Sequence, residues 1–164
     1  MKDEHFLGTT TRELASEAKA KLSQLTGTTI ACQINETNPT GTCVTAVEVQ
    51  YGEEIRNGVL HKWVASFSIT FLPACPNIAI FHGVCTSPDW RRRGVGRLLH
   101  RLRLAIAKAI KVTLVLATTD RDNVVEQAIL ETEGWRRVKN FDRFNAWMPS
   151  RQVGALTLWM KEVQ

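Results

Sequence analysis

The stretch that most constrains the fold runs from Ile78 to Thr119. It opens on an apolar run, "IAIFHGVCTS", and passes through an arginine- and glycine-rich turn, "PDWRRRGVG". From Gly94 to Lys111 the period is helical. Leu98, Leu99, Leu102, Ala105, Ile106, Ala109 and Ile110 fall on one face, with Arg97, Arg101 and Lys108 on the other. A short apolar strand, "VTLVLATT", follows. A strand–helix–strand unit of this size implies a parallel crossover, right-handed by default.

The residues before this unit carry a different signal. "TTTRELASEAKAKLSQLTG" reads as a first helix, with Thr10 and Glu13 at capping-box spacing, Gly27 at a C-terminal stop, and Leu14, Ala18, Leu22 and Leu25 as one apolar stripe. "TTIACQI" and "CVTAVEVQY" read as strands separated by the turn residues "NETNPTG". After a second turn, "GEEIRNG", the run "VLHKWVASFSITFL" is a long strand that "PACPN" breaks before Ile78. This half is an antiparallel meander. Downstream, Asp122 or Asn123 can cap a helix that ends before Gly134, and "WRRVKNF" and "GALTLWMKEV" form a strand pair across "DRFNAWMPSRQV". The expected class is α+β: a mixed, mostly antiparallel sheet of about seven strands with one parallel crossover and about three helices. At 164 residues, with no repeat or linker, residues 1–164 form one domain.

Bulk properties narrow the partners. The N-terminal residues lack a secretory pattern, and no apolar run approaches the roughly 20 residues of a membrane span, so a cytoplasmic chain without membrane contact is expected. Cys32, Cys43, Cys75 and Cys85 show no C-x-x-C spacing and read as buried, reduced thiols. His5, His61, His82 and His100 give no metal-ligand pair, so no metal is expected. The net charge of +5 suits an acidic ligand. Between Asp89 and Lys111 stand eight basic residues and one acidic residue, which concentrates the positive field there.

A helix start offers unpaired N–H groups and the positive end of the helix dipole. Glycines there let a phosphate reach the backbone. Gly94 and Gly96 straddle the expected start, and Arg91, Arg92, Arg93 and Arg97 add charge, an arrangement that suits a pyrophosphate. The P-loop pattern is absent, and "GVGRLL" puts Leu99 where the dinucleotide fingerprint needs its third glycine.

"VCTSPDWRRRGVGRLL" resembles the acyl-CoA-binding motif of the GNAT superfamily of N-acetyltransferases. That motif reads Arg or Gln, two residues, Gly, one residue, then Gly or Ala, after a strand and opening a helix. Arg91 to Gly96 match it throughout, with Pro88 three residues before. Asn123 and the Gly134–Trp135 pair stand at the family's downstream spacing, and the resemblance covers Ile78 to Lys161. It implies acetyl-CoA as co-substrate. The strand ending at Thr86 would splay from the strand at Leu114–Thr118, and the pantetheine arm would pair with the backbone of Val84, Cys85 and Thr86. The N–H groups of Arg92, Arg93, Gly94, Val95, Gly96 and Arg97, with Arg91 opening the motif, would cradle the pyrophosphate. Asn123 would contact the pantetheine or the acceptor.

The implied reaction is direct attack of a primary amine on the acetyl thioester. An ammonium must first lose a proton, and a base tuned near neutral pH serves best. In some family members a histidine at the offset of His82 is that base. By alternation His82, Val84 and Thr86 share one face if no bulge intervenes. Many members use a tyrosine as acid four residues before the Gly-aromatic pair. Here that residue is Leu130, and the only tyrosine is Tyr51. Glu53, Glu54, Asp120 and Asp122 read as solvated loop or cap residues. Trp90 could cover the adenine, and Trp147 stands in the late loop where family members often shape the acceptor pocket. The acceptor would be a small-molecule or protein amine, and a homodimer is compatible with this reading. Two other functions stay open: a nucleic-acid-directed acyltransferase or binder using Arg101, Arg103 and Lys108, and a catalytically degenerate acyl-CoA-binding module.

Overall fold

A computed structural model describes residues 4–37, 46–54, 60–72, 75–144 and 152–163. The elements are α1 (Glu4–Thr26), β1 (Ile30–Thr37), β2 (Ala46–Glu54), β3 (Leu60–Leu72), β4 (Cys75–Thr86), a 3-10 turn (Pro88–Trp90), α2 (Val95–Ala109), β5 (Leu114–Asp120), α3 (Val124–Thr132), β6 (Arg136–Phe144) and β7 (Gln152–Glu162). The strands form one sheet in the order β1-β2-β3-β4-β5-β7-β6. Every neighbouring pair is antiparallel except β4–β5, the parallel pair expected of the strand–helix–strand unit.

Cross-strand register divides the sheet into two unlike faces. Val49 opposes Phe67, Ile69 opposes Phe81, Phe81 opposes Ala117, and Ala117 opposes Trp159. All six are buried and form one face of the core. The helices cover this face. The Tyr51 hydroxyl donates to the Ala15 carbonyl of α1 at 3.2 Å, the Arg103 guanidinium of α2 lies 4.8 Å from the Phe81 ring centre, and Trp135, after α3, packs at 5.8 Å on the same ring. The opposite face carries Ser66, Ser68, Thr70, Ile80, His82, Leu116, Leu158 and Met160, and no described helix covers it.

The two helices beside the parallel pair end in the same way. In α2 the Val112 N–H donates to the Ala107 carbonyl at 2.9 Å and the Lys111 N–H to Lys108 at 3.1 Å. In α3 the Trp135 N–H donates to Leu130 at 2.9 Å and the Gly134 N–H to Glu131 at 3.0 Å. Both are Schellman ends, which need a left-handed residue after the cap. Gly134 supplies it at φ 76°, and Lys111 does so at φ 61°. The Gly134–Trp135 pair is thus a helix stop, with Leu130 and Trp135 both in the core.

Several expectations need correction. α1 begins at Glu4, so Thr10 is inside the helix and not its cap. Leu25 is 39% exposed, and Ala15 takes its place in the stripe. Ala105 is exposed beside Ile106, on the margin of the α2 apolar face. The thiols of Cys32, Cys75 and Cys85 are free as expected, but Cys75 and Cys85 are exposed: Cys75 opens β4, and Cys85 lies beyond the stretch of β4 that β5 pairs. Cys43 and Trp147 lie outside the described residues.

Candidate active site

The parallel pairing of β4 with β5 covers only Ile78–Phe81 against Leu114–Ala117. β4 continues to Thr86 and β5 to Asp120, so the two strands part beyond Phe81 and leave a wedge in the middle of the sheet. On its other side β4 stays paired with β3, but not evenly. Ser68 opposes His82 while Ser66 opposes Cys85, so three steps along β4 match two along β3. This is a β-bulge, and Gly83 sits in it at φ 65°. The bulge shifts the alternation. His82 shares the open face with Cys85, whereas Thr86 opposes Ala65 and turns to the helix face. The expectation that His82, Val84 and Thr86 share a face is therefore wrong, for the reason it named.

At the head of the wedge lies the turn into α2. Ser87 donates its N–H to Val64 at 2.8 Å, and the 3-10 turn carries the chain away from the strand. Arg92 at φ 61° and Gly94 at φ 84° are both left-handed, a backbone that gathers successive N–H groups into a concavity. The first intrahelical bond is Leu98 N–H to the Gly94 carbonyl at 3.0 Å, and the N–H groups from Arg92 to Arg97 meet no acceptor among the described residues. The glycines differ in purpose. A Cβ at Gly94 would meet nothing within 4 Å, so its backbone angle explains it. A Cβ at Gly96 would stand 3.9 Å from both Thr86 Oγ1 and Ile129 Cδ1, in the mouth between β4 and α3.

The arginines divide likewise. Arg91 Nε donates to the Thr86 carbonyl at 3.2 Å and ties the turn to the strand end. Arg93 stacks 4.8 Å from the Trp90 ring centre, and Lys62 approaches the same ring at 5.8 Å. Lys62 also pairs with Asp89 at 2.6 Å and holds that carboxyl below the usual range. Trp90 is only 7% exposed and already flanked by two cations, so it is a wall of the turn and not a free platform for adenine. Arg92 and Arg97 remain exposed with no ion-pair partner among the described residues.

His82 is exposed on the open face, with Nε2 2.7 Å from Thr70 Oγ1 on β3. Around it the face is polar: Ser68 opposes it, Glu48 opposes Ser68, and Gln50 Nε2 donates to Glu48 at 2.9 Å. Toward β5 and β7 the same face turns apolar, with Ile80, Leu116 and Leu158 half-buried. Asn123 caps α3: its Oδ1 accepts from the Glu126 N–H at 3.2 Å and its Nδ2 donates to Glu126 Oε2 at 3.0 Å. Leu130 is fully buried, and so is Tyr51, whose hydroxyl burial pushes to a higher pKa. Both lie on the helix face.

A polar chain between α2 and α3 was not expected from the sequence. Arg103, 1% exposed, donates from Nη2 to His100 Nδ1 at 2.7 Å. An arginine only donates, so Nδ1 is the acceptor and Nε2 carries the proton. That nitrogen lies 3.7 Å from Glu126 Oε1. Burial, then the Arg103 charge, lowers the His100 pKa to about 3, so the ring is neutral. Burial also raises Glu126. The chain Arg103–His100–Glu126–Asn123 thereby links the middle of α2 to the start of α3. The 3.6 period hints at Arg103, which lies beside Leu99 and Ile106. Its burial removes it from any basic contact face. Thr70 was missed too, since a threonine in a strand carries no signal beyond β propensity.

The sequence model of the Acetyltransferase (GNAT) family matches residues 12–135. No curated protein sequence matches the chain. Among solved structures, an IAA acetyltransferase from Bacillus cereus superposes with a TM-score of 0.60 at 9% identity, covering 81% of this chain and 99% of that one. The ribosomal-protein-S18-alanine N-acetyltransferase from Escherichia coli superposes at 0.57 with 13% identity, over 81% and 94%. A GNAT family acetyltransferase from Elizabethkingia anophelis, solved with acetyl-CoA bound, superposes at 0.57 with 11% identity, over 81% and 97%. The family match spans most of the chain, the neighbours share its fold, and the chain belongs to the GNAT acetyltransferase family.

Proposed function

We propose that this chain transfers an acetyl group from acetyl-CoA to a primary amine by direct attack, with His82 as the base. The observation that carries the reading is the wedge between β4 and β5 with the N–H groups from Arg92 to Arg97, acceptor-free among the described residues, at its head. Those groups, with Arg92 and Arg97, suit a pyrophosphate. The unpaired edge of β4 from Val84 to Thr86 suits an amide-bearing pantetheine arm, though Arg91 already holds the Thr86 carbonyl. Asn123 keeps one amide N–H for a ligand beyond its cap. Acetyl-CoA brings the activated acetyl group.

The wedge opens from the helix face, where Gly96 and Thr86 stand, to the open face, where His82 stands. Donor and acceptor then approach from opposite sides of the sheet. The tautomer in which Nε2–H donates to Thr70 leaves Nδ1 free to take the ammonium proton. The acceptor would meet the polar side chains of Ser68, Thr70 and Glu48. A cytoplasmic setting goes with the free thiols. Leu130 supplies no proton to the departing thiolate, which leaves that task to water at the exposed wedge.

Release of free thiol from acetyl-CoA across a panel of primary amines tests the reading. Turnover with at least one amine, lost in His82→Ala while CoA still binds, is expected. CoA binding with no turnover on any amine leaves a binding module, and turnover unchanged in His82→Ala removes that residue from the chemistry.

A further inference from the structure

The two edges of the sheet are protected unequally. β6, at one edge, reads "RRVKNFDRF", and its ladder to β7 slips between Arg137 and Lys139 and again between Arg143 and Phe144. Charge and irregularity are the usual defences of an exposed edge. β1, at the other edge, is regular and carries a single charge, Glu36. Its run "IACQINET" holds one charge, no proline and no lysine, and pairs residue for residue with β2 from Ile30–Glu53 to Thr37–Ala46 without a shift. A regular edge presents alternate N–H and C=O groups outward, and from Ile30 to Glu36 no described strand takes them.

α1 runs beside this edge. The Ile30 N–H donates to Ser23 Oγ at 3.2 Å, which fixes the end of α1 against the start of β1. Between them is a crevice lined by Arg12, Ser16, Lys19, Cys32 and Ile34. The first three recur at helical spacing and form one stripe, while Glu13 and Glu17 turn to the neighbouring face. Cys32 and Ile34 are the alternate residues of β1 that face the helix. Neither Arg12 nor Lys19 has an ion-pair partner among the described residues. The Cys32 thiol, raised to about 11 by burial, stays neutral, so the crevice is positive on its helix wall and uncharged on its strand wall.

We infer that this crevice and the β1 edge together accept an extended acidic peptide. The peptide main chain adds to β1 as a further strand, and a carboxylate side chain enters between Arg12 and Lys19. Strand addition supplies affinity through the ladder, and the side-chain crevice supplies selectivity. The site is separate from the wedge, because β2 and β3 stand between β1 and β4.

The probe is a fluorescein-labelled octapeptide of alternating valine and glutamate, titrated with the full chain and followed by fluorescence anisotropy. Saturable binding is expected. It weakens at least about tenfold when alternate peptide nitrogens are methylated, which keeps the charge and removes the ladder donors. It weakens as much when lysine replaces glutamate, or in the Arg12→Glu, Lys19→Glu double variant, whose CoA affinity and circular dichroism stay as in the parent. No saturation by about 1 mM overturns the inference. So does equal affinity of the methylated peptide, which reduces the contact to charge alone, or equal affinity of the double variant. A dimer in sedimentation that the double variant dissolves assigns the edge to a second copy and also overturns it.

Discussion

Single residues bear on the proposed site at two points, His82 and Gly94. The histidine ring is held by one partner, Thr70, at 2.7 Å. Thr70→Val keeps the shape of the side chain and removes that partner. The turnover number is expected to fall about tenfold with CoA affinity unchanged, and Thr70→Ser to restore it, in steady-state kinetics paired with calorimetry. A fall in CoA affinity instead of turnover would deny Thr70 its positioning role. Gly94 carries a backbone angle and no packing. Gly94→Ala therefore costs about 1 kcal/mol of stability in urea unfolding, the conformational cost of a left-handed alanine, without a steric term.

At the scale of elements, α2 and α3 share a stop and a buried bridge. Lys111 occupies the left-handed position that Gly134 occupies in α3. Lys111→Gly is expected to raise stability by up to about 1 kcal/mol, since the strain it relieves exceeds the glycine's added freedom in the unfolded chain. The bridge predicts a pH dependence. The His100 pKa is lowered to about 3 in the fold, so below its ordinary 6.5 the unfolded chain binds a proton that the folded chain refuses. Its stabilising contribution is full above the ordinary value and declines as pH falls toward 3. Between pH 7 and pH 5 the loss is about 2 kcal/mol. Glu126, whose pKa is raised, works in the opposite sense at lower pH. Urea unfolding at the two pH values is expected to show that loss in the parent chain. It should be largely absent in His100→Gln, which keeps an acceptor for Arg103. An equal loss in both would place the acid sensitivity elsewhere.

At the scale of the whole molecule, the three described helices lie on one face of the sheet and no described helix covers the other. Much of the fold was legible in the sequence. The period change at Gly94, the glycine stops at Gly27 and Gly134 and the alternating runs located three helices and seven strands, because each rests on local periodicity or a backbone requirement. What was not legible depends on contacts between elements. α1 starts at Glu4, upstream of the local cap signal. The bulge at Gly83 reset the faces of β4, and no strand pattern announces a single inserted residue. Arg103 looked like surface charge until His100, Glu126 and Phe81 closed around it. The turn into α2 was legible because Arg91–Gly96 is one contiguous segment. The open face was not, because His82, Thr70, Ser68 and Glu48 meet only through register across three strands.

The central claim is that CoA enters the wedge between β4 and β5 with its pyrophosphate at the start of α2. Isothermal titration of acetyl-CoA into the parent chain and into Gly96→Leu tests it most directly. The added side chain would fill the mouth between Thr86 and Ile129. Binding to the parent at about 100 µM or tighter is expected, with loss of binding in a Gly96→Leu chain that keeps the parent's circular dichroism. Parent binding absent to about 1 mM, or Gly96→Leu binding as the parent does, would contradict it.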